Sequence, residues 1–494
     1  MSERHESGSG CACGFQSILA LVECRSAGEV GALEESGALP RFGRSHKPLI
    51  NWRAQSMGSH PRFVRTVVLL LLTAFSAGTA ISVASAHGTK LSKSNHGHGH
   101  KGTLYVAPSG RTGAADRNCR SAGYSSIQSA VGAAPAGSTV VACRGTYTED
   151  VIISTPLTLA GRHGAVIHGS STANGNCEQL GPSGPGSAPC LAGITIKSSH
   201  VTVQGLKVTG AIGEGILATG SLAGGSISQV VIQDNRVVGN NLGGIPPSKT
   251  SPYPQCVEVG QVPGDCGEGI HLMGVAGSRV THNFVSGNEG GVLLTDEFGP
   301  THGNVVDHNT ITKNLFDCGV TAPGHNPTAL DASGNPQPAK AGVYKNVIEH
   351  NKITDNGLKG EGAGVLFANA TAGTASYDNV VEFNSISGNE LSGVTMHAHT
   401  LAPGQFEDLS GNRIIHNTIG RNNTGGDPLD GTASDPSATG VLVFSGTVPV
   451  KVTIAHNIIR DNHYGVWLGT GGHVTATMSH NVFHNVTSPV FTSP

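Results

Sequence analysis

Residues able to do chemistry gather in the second half of the chain. Asp317, taken with Asp296 or Glu297, offers the carboxylates that glycosidic chemistry needs, because a pair held in unlike environments can divide proton donor from base or nucleophile. His325 or His397 could instead remove a proton in an elimination or an epimerisation. His271, Thr321, Thr395, Tyr464 and Trp467 are candidate substrate contacts, with polar groups for sugar hydroxyls and rings to stack on a sugar face. Glu268, His302, His399, Glu407 and Asp408 extend the polar set. His271, Asp296, His325 and His397 also include ligand types for Zn²⁺, while carboxylates alone could hold Ca²⁺.

Each of these residues has a plainer reading. Asp296 could cap the bend before Asn304, and Asp317 could bond nearby turn amides. Cys318, beside Asp317 and close in sequence to His325, could act as a nucleophile. No helical oxyanion environment or third orienting group accompanies it, which favours a buried, unreactive thiol.

The elements that must position these groups are repeats. Val280-Thr281-His282-Asn283-Phe284-Val285-Ser286-Gly287-Asn288, followed by Gly291-Val292-Leu293-Leu294, returns around Asn309, Asn351, Asn384, Asn417 and Asn457, with a shortened copy at Asn481 and an earlier one at Asn235. Each copy is a short apolar strand, an Asn bend, a second strand, a second Asn and a Gly. Strands this short bury a core only by stacking, which predicts a solenoid. Asn283, Asn309, Asn351, Asn384, Asn417, Asn457 and Asn481 should form an internal ladder, each amide bonding the turns above and below. Extra residues must leave the coil, around Pro246 to Cys266, Ala322 to Ala341 and Gly425 to Ala438. If Ile270 and Leu272 face inward, His271, Thr321, Thr395, His397 and Trp467 share the outward face and line an elongated groove.

Upstream, Ser126 to Val131 reads as a short cap helix ending near Gly132, and segments at Val140, Val151, Leu157, Ala165, Ile194 and Val201 read as the first strands. Residues 57–86 read as an export signal, with Arg62 and Arg65 before the apolar run and Ala84-Ser85-Ala86 at the cleavage site. Residues 1–56 then read as a non-structural upstream extension. Residues 87–100 read as a flexible segment whose His96, His98 and His100 could hold a metal ion weakly, 101–487 as the solenoid and 488–494 as a tail. This places the protein in a secreted or extracytoplasmic setting, with no stable membrane span after cleavage. There, proximity suggests disulfides Cys119 to Cys143, Cys177 to Cys190 and Cys256 to Cys266. A net charge of −3 gives no basic surface for nucleic acid.

Over residues 101 to 487 the repeats resemble the pectate-lyase-like superfamily of right-handed parallel β-helix proteins. The opening Tyr124 to Pro135, with Gly145-Thr146-Tyr147, is similar to the start of pectin methylesterases. The resemblance implies an all-β, single-stranded right-handed solenoid and a carbohydrate-active protein, as polysaccharide lyase or glycoside hydrolase, with a polysaccharide or cell-wall polymer as partner and Ca²⁺ as a candidate cofactor. The catalytic motifs of polygalacturonases, mannuronan epimerases, pectin methylesterases and classical pectate lyases are not matched. Two alternatives therefore stand beside it: a noncatalytic solenoid binding a cell-wall polymer or a protein, and a factor resembling those that mature periplasmic copper enzymes.

Overall fold

The computed structural model describes residues 102–110, 116–170, 174–181, 184–190, 192–221, 225–240, 267–326, 342–358, 362–369, 373–398, 408–424, 437–446, 448–469 and 473–493, those between 174 and 190 in backbone only. Residues 1–56, 57–86 and 87–100 lie outside this set. Among the described residues no helix is long and apolar enough to cross a membrane.

The chain winds as a right-handed parallel β-helix. Three long parallel sheets run its length: sheet A with 12 strands, from Thr103–Val106 to Val474–Ser479, and sheets B and C with 11 each. Sheet B runs from Gly145–Thr148 to Val482–His484 and sheet C from Val151–Ile153 to Ser488–Thr492. A short five-stranded sheet between C and A spans Ile227–Ser228 to Ser376–Tyr377. Alternation puts one residue in two inside, so Val280, Val306, Ile348, Val381 and Ile414 stack without break along sheet A, all fully buried.

The corners decide the register. Asn283 donates its backbone N–H and its Nδ2 to Asn309 Oδ1, at 2.8 and 3.1 Å, and Nδ2 also reaches Ile232 O at 2.8 Å. The same bonds recur from Asn235 through Asn309, Asn351, Asn384, Asn417 and Asn457 to Asn481. A second ladder runs from Asn240 through Asn288, Asn314, Asn356, Asn389 and Asn422 to Asn462. A third, which the repeat pattern did not announce, links Asn304, Asn346, Asn379 and Asn412 between the short sheet and sheet A. The left-handed residue is not the ladder asparagine but the one before it: His282, His308, Lys345, Asp378 and Phe383 all have φ between 54° and 56°. In the last coil Asn485 stands in register with Asp461, the left-handed residue before the second ladder, and bonds it at the surface, while Val486 stands at the ladder position.

The N-terminal end is closed by the helix Ile127–Ala133, which buries Ile127, Ala130 and Val131. Ser126 caps it, and Glu149 accepts from Ser126 Oγ and from the amides of Ile127 and Gln128. An anion there complements the unsatisfied first-turn N–H groups. Cys119 and Cys143 form the first expected disulfide. Cys256 and Cys266 and the side chains of Cys177 and Cys190 lie outside the described residues.

Three expectations change. Segment 174–190 is an antiparallel hairpin of two strands. Ala322 belongs to the sheet C strand Val320–Gly324, so the excursion there starts later. The tail is no loose end, because Ser488–Thr492 pairs on Tyr464–Leu468 as the last rung of sheet C.

Replacing Asn351 by Ala strips the acceptor from Asn309 N–H and Nδ2 and should cost about 2–6 kcal/mol, since each buried donor left unmade costs about 1–3 kcal/mol. Exposed Lys352→Ala, next in sequence, should stay within about 0.5 kcal/mol. Denaturant midpoints, with hydrogen exchange at the flanking coils, check both.

Candidate functional site

One column of sheet C runs Thr195, Leu217, His271, Leu293, Thr321, Leu366, Thr395, Leu442, Trp467 and Phe491. Its neighbours Ile270, Leu272, Val320 and Val394 belong to the central core, so this column faces away from it. His397 lies on the same face two residues on, beside Ala368 and Phe444. The common face expected for these side chains is therefore present, but among the described residues their column is not a continuous polar strip. Leucines separate the polar rungs, and His271, Thr321, Thr395, His397 and Trp467 are all at most 3% exposed.

Two polar clusters occupy this face. In the first, His271 sits between Glu214 and Thr295, with Nδ1 3.3 Å from Glu214 Oε1 and Nε2 2.8 Å from Thr295 Oγ1. Glu297, on the segment after Thr295, lies with Oε1 2.8 Å from His325 Nδ1. Burial works against the Glu297 charge, but the His325 imidazole, with His271 and Thr295 adding to it, holds the carboxyl below the usual range. Asp296 turns to the backbone instead: Oδ1 accepts from the amides of His325 and Asn326 at 2.6 and 3.1 Å, and Oδ2 from Gly342 at 2.6 Å. Those amides flank residues 327–341, so Asp296 clamps both ends of an excursion. Where the sequence suggested a pairing with Asp317 or a cap on the bend before Asn304, the bonds of both Asp296 oxygens go to these amides.

The second cluster comes from the turns that lead into sheet C. Glu268, Glu289 and Asp317 stand on three successive coils, all at most 5% exposed, with carboxylate oxygens within 4.8 Å of one another. Thr321 Oγ1 donates to Asp317 Oδ2 at 3.0 Å. Asp317 Oδ1 accepts no hydrogen bond among the described residues. Gly290 backs the cluster closely: a Cβ there would lie 3.1 Å from Glu268 Oε1 and 3.3 Å from Asp317 Oδ2. Three buried carboxylates this near need a proton or a cation among them, and an all-oxygen donor set suits a hard ion such as Ca²⁺.

Other expected contacts are structural. Tyr464 and Trp467 pack on each other and on Phe491, at 4.5, 4.7 and 5.3 Å between centroids, and Trp467 Nε1 donates to Ser493 Oγ. They offer no open ring to a sugar. Thr395 bonds Ser392 Oγ. Cys318 is buried, and its sulfur accepts from Ala363 N at 3.2 Å. Asp408 bonds Ser410 N at 2.8 Å, and His302 stacks on Tyr344. His399 and Glu407 lie outside the described residues.

Sequence reasoning missed Glu214, Glu289 and Thr295. A signal for the first two was present: aligning coils on the Gly that opens each sheet C strand puts an acid one to three places before it in Glu214-Gly215, Glu268-Gly269, Glu289-Gly290-Gly291, Asp317-Cys318-Gly319 and Glu390-Leu391-Ser392-Gly393.

Residues 333–487 match the family described as right handed beta helix region, and residues 258–379 the family described as periplasmic copper-binding protein (NosD). No curated protein matches the chain. Among solved structures, the A-module of the Azotobacter vinelandii mannuronan C-5 epimerase AlgE4 is similar at a TM-score of 0.46 and 15% identity, covering 74% of this chain and 94% of that one. Pectate lyase Pel9A is similar at 0.45 and 15%, over 78% and 80%. An alginate lyase from Paenibacillus sp. is similar at 0.42 and 13%, over 74% and 96%. These likenesses are of fold.

Burial, then the nearby Glu297 charge, pushes Asp296 up from 3.8 to about 6. The folded chain therefore holds more protons than the unfolded chain between these values, and stability from this group falls as pH rises from about 4 to about 6. Subtracting the melting profile of Asp296→Asn from that of the parent between pH 3.5 and 7 should isolate that decline. A flat difference would contradict the assignment.

Proposed function

We propose that the chain is an extracytoplasmic carbohydrate-active protein, and that its sheet C face performs a cation-assisted elimination on an acidic polysaccharide. The observation that carries this reading is the placement of the Glu297–His325 pair, 2.8 Å apart, and the Glu268, Glu289 and Asp317 cluster on adjoining coils of one face. Elimination from a uronate needs a base for the proton beside the carboxyl group and a positive charge to stabilise the carbanion-like transition state. In this reading His325, oriented by Glu297, takes that proton as the glycosidic C–O bond breaks, and the leaving oxygen is protonated by solvent. A Ca²⁺ ion on the three carboxylates would neutralise the substrate's acid.

The noncatalytic polymer-binding reading lacks the open aromatic platform expected of it, since Tyr464 and Trp467 pack on each other. A role in maturing a copper enzyme outside the cytoplasm is a second reading, favoured by the family match over residues 258–379. An extracytoplasmic setting is supported by the Cys119–Cys143 disulfide and by the export signal read at 57–86.

Purified mature protein should be screened on acidic and neutral polysaccharides, with Ca²⁺ and with a chelator. The reading expects unsaturated, ultraviolet-absorbing ends from acidic polymers that need Ca²⁺. His325→Gln should lower turnover by about 10²–10⁴-fold, and Asp317→Asn should raise the Ca²⁺ requirement. New reducing ends without unsaturation would mean hydrolysis, and no product from any polymer would overturn the enzyme reading.

A further inference from the structure

Seven rings stack along the corner between sheets A and B: His282, His308, His350, Phe383, His416, His456 and His480. Neighbouring centroids lie 4.7 to 5.1 Å apart, with interplanar angles of 1° to 24°. Each residue sits just before a ladder asparagine, at φ between 53° and 57°. All seven are exposed.

The fold accounts for a side chain that tolerates positive φ here, not for imidazole. Phe383 keeps the stack with carbon alone, at 5.1 and 5.0 Å from its neighbours. Asp234 takes the same corner position next to His282 without any ring. Six of the seven rings nonetheless carry ligand nitrogens.

Two of them are also oriented as ligands. His308 Nδ1 lies 2.7 Å from Asp307 Oδ2, and His282 Nδ1 lies 2.8 Å from Thr281 Oγ1. Asp307 is itself fixed by Arg279 Nη2 at 2.6 Å and Thr281 Oγ1 at 3.0 Å. An imidazole whose Nδ1 is engaged by a carboxylate or hydroxyl presents Nε2 to a metal, and such partners typically accompany metal-bound histidine. The flanking column of sheet A carries Asp307, Glu349 and Glu382, and that of sheet B carries Phe284, Thr310 and Lys352. Arg279, Arg236 and Lys352 are the nearby cations, and the four acids Asp234, Asp307, Glu349 and Glu382 outnumber them, which favours a cation over a polyanion.

We infer that the run His282, His308 and His350 is a surface site for a divalent transition ion such as Zn²⁺, Cu²⁺ or Ni²⁺, held by imidazole nitrogens of neighbouring coils. Imidazole suits these ions. A metal–nitrogen bond of about 2.0–2.1 Å in tetrahedral geometry brings two ligand nitrogens to about 3.4 Å, so exposed rings spaced 5.0 Å apart must tilt together on binding. The site lies on a different corner from the sheet C clusters and does not depend on the elimination reading, while its three histidines fall within the residues that carry the copper-enzyme reading.

The test is a Cu²⁺ titration of the mature chain carrying His96→Ala, His98→Ala and His100→Ala, which removes the competing histidines of the 87–100 segment, followed by calorimetry and electron paramagnetic resonance. In a background that also carries His416→Phe, His456→Phe and His480→Phe, which removes the other imidazoles of the stack, His282→Phe, His308→Phe and His350→Phe together keep the ring stack as Phe383 does. They should weaken the tightest Cu²⁺ binding by about 10-fold or more and remove the nitrogen couplings of more than one imidazole, with little change in melting temperature. If the triple variant fails to fold, His308→Asn, whose side chain is tolerated at positive φ, should give the same loss in smaller measure. Unchanged affinity and couplings in these variants would overturn the site. So would an absence of Cu²⁺ binding with retention on a polyanion at low pH.

Discussion

A solenoid corner turns peptide groups toward an interior that has no water, and every such group must find a partner. The asparagine ladders meet this requirement. One carboxamide oxygen takes the backbone N–H and the Nδ2 of the coil before it, while its own Nδ2 returns to a strand carbonyl. The bond exists only if equivalent residues superpose, so the same contact that satisfies the corner also sets the register of three sheets. A slip of one residue would break the ladders and reverse the inward and outward faces together.

That register assembles the candidate site. Glu214 and His271 are 57 residues apart in sequence, and His325 and Glu297 are 28 apart, yet coil stacking brings each pair into contact. Glu268, Glu289 and Asp317, each placed before the opening glycine of a sheet C strand, are drawn into one buried cluster because successive coils repeat that turn. The small residue is needed there: a side chain at Gly290 would press on Glu268 and Asp317. Buried charge of this kind is costly unless a partner compensates it, which is why the cluster is more informative than scattered surface acids.

The corner has two products. Its asparagine points in and closes the hydrogen bonds, and the left-handed residue before it points out, so inward regularity imposes an equal regularity on the surface. The stacked imidazoles are the outward image of the inner ladder. Their spacing follows from the coil, while their chemistry is free to vary, as Phe383 and Asp234 demonstrate.

Much of this was legible in the sequence. The Asn-bearing repeats specified parallel coils, the ladder at Asn283 to Asn481, the cap helix and the outward phase of His271, Thr321, Thr395 and Trp467, because period and corner chemistry are local properties of the chain. The third ladder, the hairpin at 174–190 and the final rung at 488–492 were not legible, since each is defined by what pairs with it rather than by its own pattern. The same holds for the site. Sequence named Asp296, Glu297, Asp317 and His325 by type and proximity, but only the tertiary structure decided that Asp296 clamps backbone, that Glu297 holds His325, and that Asp317 joins Glu268 and Glu289. It also decided that Trp467 and Tyr464 are buried. Alternation fixes which way a side chain points, and burial depends on what other coils lay over it.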